Sequence, residues 1–330
     1  MLRLWCHCKI SIVGCFKRNE GASMNYLFII DPPENLKVKK DTSIFVMKAF
    51  LKKDVGVFYT TKKNFTLNSN GSITVHAHKI KNINESVIAS DPKKILISFF
   101  KKVFIRIDPP FDQDYLNLTY LLSHKISKNE LIINSPCGIR NFNEKLSILQ
   151  FKDIIPKTIT SSDAEEIKKF IKKNKKVILK PIHGMAGNGI FLVSINDPNL
   201  NVIIESMTNN QSKIIMAQEY IPAIKKGDKR IILLNGKPLP YGLMRKPKKN
   251  EVRANLAKGG HGSLSKLSTN DHKIISTIKP FLIENKLAFV GIDVIGNFLT
   301  EINVTSPTGL VEIAHQSAID IEKIVFNELS

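Results

Sequence analysis

Residues 26–30 are an unbroken apolar run that stops at Asp31-Pro32-Pro33, the pattern of a buried strand ending in a rigid corner. Asp41-Thr42-Ser43 next offers an N-cap for a helix running to about residue 53. Strand-like runs follow over 57–60, 73–80 and 103–107, the last leading into Asp108-Pro109-Pro110-Phe111-Asp112. A helix is expected over 113–123 and a strand over 131–134. Short β and α segments in alternation predict an α/β domain on a mainly parallel sheet. Loops at the carboxyl ends of such strands commonly hold ligands, and both Asp-Pro-Pro corners lie there. Arg106 and Asp108 are therefore candidates for meeting a substrate. The plainer reading is a rigid turn with a surface ion pair.

Asn143-Glu144-Lys145 opens a helix to about residue 150 and marks a boundary between a domain over 24–142 and one over 143–330. Ser162 and Glu165 have capping-box spacing at the start of a charged helix. Residues 177–180 read as a buried strand ending in Lys180, and a loop with Gly184, Gly187 and Gly189 separates it from an apolar strand over 190–193. No Gly-Lys-Ser/Thr ending and no following helix are present, so neither a P-loop nor a Rossmann turn fits. A glycine hairpin can still fold over a triphosphate, its backbone N–H groups aimed at the oxygens. Lys180 would add a compact positive charge beside it. A flexible surface hairpin reads equally well.

The strand predicted over 214–221 carries Gln218, Glu219, Tyr220 and Ile221, an edge and apolar wall where an adenine ring could lie. Gly227-Asp228-Lys229-Arg230 leads into a strand over 231–234, Asn235-Gly236 is a hairpin turn, and the return strand ends at Arg245. The polar, lysine-rich loop that follows holds Arg253, Asn255 and Gly259-Gly260-His261-Gly262, and reads as a lid. Thr269-Asn270-Asp271 caps a helix to about residue 285. The chain then reaches a second hairpin, apolar on both sides of Gly296-Asn297. Glu301 and Asn303, two apart, point to one face of its second strand. A three-residue turn would set Asp293 opposite Glu301; a two-residue turn would set it opposite Thr300. Two carboxylates and an amide oxygen on one face suit Mg²⁺ or Mn²⁺, which leave further positions to water and phosphate. A half-exposed hairpin that simply meets water is the plainer alternative.

Composition narrows the choice. With 330 residues and 43% hydrophobic positions, the chain can bury a sizeable core in two domains or more. No apolar run approaches the roughly 20 residues that span a bilayer. The net charge of +20 is spread as pairs such as Lys52-Lys53, Lys172-Lys173 and Lys248-Lys249, and no block forms. It reads as solvated charge that helps to steer an anionic substrate. A nucleic-acid binder would interleave basic residues with aromatics for stacking; here the one Trp lies within residues 1–23. Three of the four cysteines also fall there (Cys6, Cys8, Cys15), leaving Cys137 in the body. That is no disulfide framework, and a reducing cytoplasm is the default. Cys6-His7-Cys8 lacks a second ligand pair at finger-like spacing. Residues 1–23 resemble nothing that follows and read as a mis-assigned start before Met24, or as a targeting leader.

Together, these motifs resemble the ATP-grasp superfamily and, within it, the bacterial-type glutathione synthetases, over nearly the whole chain from Met24. The resemblance rests on Asp31-Pro32, the 106–112 string, Asn143-Glu-Lys145, Lys180-Pro181 and the glycine loop. It continues through Met216-Ala-Gln-Glu-Tyr-Ile-Pro222, Gly227-Asp-Lys-Arg230, Arg253-Ala-Asn255 and Thr300-Glu-Ile-Asn-Val-Thr-Ser-Pro-Thr-Gly309, the most specific string. It implies an α/β ATP-grasp fold behind an N-terminal parallel-sheet domain. It also implies ligation of γ-glutamylcysteine and glycine, driven by ATP, through an acyl phosphate. By this likeness Lys145, Lys180, the glycine loop, Gln218 to Ile221 and Asp228 would hold ATP. Asp293, Glu301 and Asn303 would hold two Mg²⁺ or Mn²⁺ ions. Arg230, Arg245, Arg253 and Asn255 would bind phosphate and carboxylate groups, with Ser306, Thr308 and Gly309 near the dipeptide. A homotetramer is the family expectation.

Two departures stand out. The glycine loop reads Met-Ala-Gly-Asn-Gly where the family often has adjacent glycines. His261 stands in the lid where arginine is usual, which makes that contact weaker or pH-dependent. Another ATP-grasp carboxylate–amine ligase, or a catalytically dead paralogue, is the competing reading.

Overall fold

The computed structural model describes residues 24–124, 132–184, 187–248, 254 and 261–330. Its first, eight-stranded sheet comprises β1 (Asn25–Ile30), β2 (Gly56–Thr60), β3 (Phe65–Leu67), β4 (Ile73–Ile83), β5 (Val87–Ala89), β6 (Lys93–Leu96), β7 (Lys102–Arg106) and β8 (Ile132–Ile133). Strands β2, β1, β7 and β8 run parallel, and β3 to β6 form an antiparallel annex around β4. The unbroken apolar run of β1 has a simple cause. Tyr26, Phe28 and Ile30 pack with helix α1 (Thr42–Leu51), while Leu27 and Ile29 pack with α2 (Gln113–Ser123) on the other face. Asp41 caps α1 by accepting from Ile44 N, and Asp112 caps α2 by accepting from Tyr115 N.

After the short α3 (Pro136–Asn141) comes a four-stranded antiparallel sheet in the order β11-β10-β12-β9. It consists of β9 (Thr158–Ser161), β10 (Lys176–Pro181), β11 (Phe191–Ser194) and β12 (Ile215–Glu219). Helices α4 (Ala164–Asn174) and α5 (Leu200–Thr208) close it with an apolar core of its own. The third sheet runs β16-β15-β13-β17-β18, with β14 paired to β13. Its strands are β13 (Asp228–Leu234), β14 (Lys237–Pro238), β15 (Tyr241–Lys246), β16 (His261–Lys266), β17 (Phe289–Ile295) and β18 (Phe298–Asn303). One face packs on α6 (Thr269–Glu284). The other shares a continuous core with the first sheet, α7 (Leu310–Gln316) and α8 (Ile321–Leu329). Asn134 stitches this seam: its amide donates to Phe289 O and Val304 O and accepts from Phe289 N, each at 2.7 Å.

Several expectations need correction. Asp163, not Ser162, caps α4, accepting from Glu165 N and Glu166 N. The helix expected over 143–150 is a 3-10 segment, Leu146–Gln150. His261 and Gly262 belong to strand β16 and not to a loop, because Lys246 and Arg245 of β15 pair with them. The capping box of α6 is Ser268 with Asp271. Helices α3, α5, α7 and α8 had no expectation. Residues 1–23, with Cys6, Cys8 and Cys15, lie outside the described residues, as do Leu131, Arg253 and Asn255.

Candidate active site

The β17–β18 hairpin resolves its own register in a way neither alternative anticipated. The turn holds two residues, with Ile295 opposite Phe298 and Gly296 at φ +60°. Yet Asp293 still faces Glu301, because the register shifts between Val294–Leu299 and Asp293–Glu301 and leaves Thr300 as the extra residue. Thr300 Oγ1 donates to Asp293 O at 3.1 Å across this bulge. The consequence is chemical. A regular two-residue hairpin would turn Glu301 to the opposite face from Asp293; the bulge returns both carboxylates to one side, with Asn303 opposite Gly291.

Asp293 is the centre of a buried charge network. Arg230 Nε donates to its Oδ1 at 2.5 Å and Arg230 Nη2 to its Oδ2 at 2.9 Å, a bidentate pair. Arg245 Nη2 lies 2.9 Å from Asp293 Oδ2 and 2.5 Å from Asp228 Oδ2. Strand pairing builds this: Arg230 is registered opposite Asp293, and Asp228 opposite Arg245. Gly291 makes room, since a Cβ there would sit 2.7 Å from Pro307 and 3.1 Å from Arg230 Cδ. Burial opposes ionisation of Asp293, but Arg230 and Arg245 outweigh it and hold its carboxyl well below the carboxylate range. Burial, aided by Asp293, pushes Asp228 up to about 6. Burial alone would lower the Arg245 guanidinium, yet Asp228 and Asp293 hold it above its ordinary value.

These groups line a cavity of about 490 Å³ bounded by strands of the second and third sheets and by the segments that follow β1 and β7 of the first. At one end, Ile178, Gln218, Glu219, Tyr220 and Ile221 form a wall. Lys180 is buried and donates to Gln218 Oε1 at 2.8 Å, and Gln218 Nε2 donates in turn to Thr158 Oγ1. Burial pushes the Lys180 ammonium down, against the pull of Glu301. Lys145 reaches across to Gly184 O at 2.7 Å and lies 3.8 Å from Glu301 Oε1. Asn143 places it, its Oδ1 accepting from both Lys145 N and Leu146 N. Gly184 and Gly187 line the cavity, and Gly187 and Gly189 have φ near +75° and +70°. Gly189 itself is not on the wall.

At the other end the two Asp-Pro-Pro corners meet. Asp31 Oδ2 accepts from Asp108 N at 2.9 Å, and burial raises the Asp108 carboxyl, which also pairs with Ser306. Asp108, Ser306, Thr308 and Gly309 line this end. Arg106 does not; it lies behind the wall. Three acidic residues of the lining escaped sequence reasoning. Glu144 accepts from Thr305 Oγ1 at 3.0 Å, with its carboxyl raised by burial and by Glu301. Asp41 was seen only as a helix cap, and Glu312 follows the last motif. Glu144's place inside Asn143-Glu144-Lys145 was the one available signal.

The donor set fits a divalent cation. Glu301 is a carboxylate whose nearest cation, Lys145, stands off at 3.8 Å, and it destabilises the ionised forms of both Glu144 and Asp228. Asn303 ties its amide nitrogen to Gly291 O at 3.1 Å, which leaves the amide oxygen as ligand. Among the described residues no three His, Cys, Asp or Glu side chains form a closed metal cage. A cation here would complete its shell with substrate oxygens and water, the habit of Mg²⁺.

The fold is that of the ATP-grasp ligases. An ATP-grasp ligase from Chryseobacterium gregarium, solved with ADP and a leader and core peptide, superposes with a TM-score of 0.63 at 17% identity, over 93% of this chain and 96% of its own. Models of the prokaryotic glutathione synthetase N-terminal and ATP-grasp domains match residues 24–140 and 144–318. The chain is 40% identical to the glutathione synthetase of Shewanella oneidensis, over 91% of this chain and 96% of that one. It is 41% identical to that of Vibrio parahaemolyticus, over 89% and 93%. The chain belongs to the prokaryotic glutathione synthetase family. Membership makes it an ATP-dependent ligase that uses a divalent metal. No helix among the described residues is long and apolar enough to cross a membrane.

Proposed function

We propose that this cavity joins the cysteinyl carboxylate of γ-glutamylcysteine to the amine of glycine, with ATP converted to ADP and phosphate. One observation carries the reading: Lys145, Lys180 and the Asp293–Glu301–Asn303 face converge on one cavity whose far end is built from Asp108, Ser306 and Thr308. A carboxylate is a poor electrophile, so its oxygen first attacks the γ-phosphorus and ADP leaves. The glycine nitrogen then attacks the acyl carbon, loses a proton, and phosphate departs. Phosphoryl transfer asks the protein for positioning and positive charge, which is why lysines and arginines dominate the site and no nucleophilic Ser or Cys is needed.

In this reading Gln218, Glu219, Tyr220 and Ile221 hold adenine, while Lys145, Lys180 and the 184–189 loop hold the phosphates, with Asp228 ordering Arg245. Asp293, Glu301 and Asn303 hold two Mg²⁺ or Mn²⁺ ions, which neutralise phosphate charge when bound. Arg230 and Arg245 face the transferring phosphoryl group, and Arg253 and Asn255 bind phosphate and peptide carboxylate groups. Residues 24–142 act as substrate domain and 143–330 as ATP-grasp domain. A homotetramer in a reducing cytoplasm completes the reading, and light scattering on purified protein checks its mass.

The test is phosphate release from ATP and Mg²⁺ with γ-glutamylcysteine and glycine, together and singly. Release with both only, matched one-for-one by glutathione, is the expected outcome. Release with a different acid–amine pair would sink the substrate assignment while keeping the chemistry.

A further inference from the structure

We infer that Arg106 is a positioning residue that fixes the dipeptide end of the cavity from behind its wall, on the premise that this cavity takes γ-glutamylcysteine. Arg106 is the last residue of β7, 4% exposed and absent from the cavity lining. Its guanidinium is held on three sides. Nε donates to Ser43 Oγ at 3.1 Å, Nη2 donates to Pro307 O at 2.9 Å, and the group lies 4.6 Å over the Phe289 ring. Nη1 is buried with no partner among the described residues.

Its two hydrogen bonds reach two different pieces of the wall. Ser43 sits two residues after Asp41, and Pro307 lies between Ser306 and Thr308; Asp41, Ser306, Pro307 and Thr308 all line the cavity. Arg106 itself stands two residues before Asp108, which pairs with Ser306. One cation therefore fixes the distance between the first turn of α1, the end of β7 and the 304–309 loop. Lysine lacks the planar fork that sends two N–H groups in different directions.

Stability alone does not account for the residue. Burial disfavours the charge, relieved only partly by Asp41 and Asp108, and among the described residues no carboxylate is within ion-pair distance of it. A buried cation without a paired anion stabilises a core less than an apolar side chain of similar volume. None of its contacts reaches Lys145, Lys180 or Gln218 at the nucleotide end, so the effect of losing it falls on one substrate.

Steady-state kinetics of Arg106→Met, Arg106→Lys and Ser43→Ala, with nucleotide affinity measured without dipeptide, test this role. In Arg106→Met the KM for γ-glutamylcysteine should rise about tenfold or more, the loss of hydrogen bonds to a charged donor. Affinity for ATP should stay within about twofold, well under the factor of ten that marks a lost contact. Arg106→Lys should recover only part of the KM. Ser43→Ala, which removes one bond and folds even if Arg106→Met does not, should raise the same KM by about threefold. A parallel loss of ATP affinity, or an unchanged KM in Ser43→Ala, overturns the role. Were the wild-type chain inactive on γ-glutamylcysteine, premise and role would fall together. Were it active and both variants unchanged, the role alone would fall.

Discussion

Asp293 shows how much a single residue carries once its surroundings are fixed. Its carboxylate balances two buried guanidiniums, whereas Lys39 and Glu85, 3.1 Å apart, are each more than three-quarters exposed. Removing the surface pair should change stability by about 0–1 kcal/mol. Asp293→Asn keeps the shape but leaves Arg230 without a carboxylate partner and Arg245 with Asp228 alone, and is expected to cost about 3–5 kcal/mol in urea unfolding. Turnover should fall by about two orders of magnitude or more, the scale of losing a preorganised charge at a reacting centre. A variant of normal stability and activity would mean that the network is ornamental. Which residue types matter was legible in the sequence. That Asp293 would be shared by two arginines was not, because their partnership arises from strand pairing between β13, β15 and β17.

At the scale of elements, periodicity and caps did most of the work. The α2 span matches its pattern from Gln113 to Ser123, and Asp112 caps it. Lys62 donates to Asp112 Oδ2 at 2.9 Å, and this bond first, then the Tyr115 N–H, keeps the Asp112 carboxyl below its ordinary 3.8. A depressed acid stabilises the fold at pH above 3.8, and that contribution is lost as pH falls through its lowered value. Asp112→Ala should therefore cost about 1 kcal/mol near neutrality, and the gap from wild type should close in strongly acidic denaturation experiments. A gap independent of pH would show that the charged form is not what caps the helix. The β17–β18 bulge marks the limit of such reading. Nothing in a two-period pattern says where one extra residue will be absorbed, and the Thr300–Asp293 hydrogen bond exists only after both strands are in place. The four unexpected helices are short or amphipathic ones whose faces are defined by what they cover, as α7 and α8 are by the shared core.

For the whole molecule, the decisive fact is that the first and third sheets share a core while the four-stranded sheet keeps its own. Asn134 lies at the junction, with three hydrogen bonds of 2.7 Å spanning more than 150 residues of sequence. Asn134→Ala leaves two carbonyls and one N–H buried without partners, an expected loss of about 2–4 kcal/mol in chemical unfolding. An unchanged midpoint would show that apolar packing alone holds the seam. The +20 charge plays no comparable part in the architecture, since its lysines lie mostly at the surface.

The sequence by itself determined the alternation of strands and helices, the Asp-Pro-Pro corners, the glycine loop and the chemistry of the carboxylate hairpin. These depend on local sterics, side-chain period and residue type, which act over a few positions. Only the tertiary structure decided that the two corners meet through Asp31 and Asp108, that Arg106 stands behind the wall, and that Glu144 belongs to the cavity. Those are contacts between residues far apart in the chain, set by how sheets share a core, and no local pattern records them.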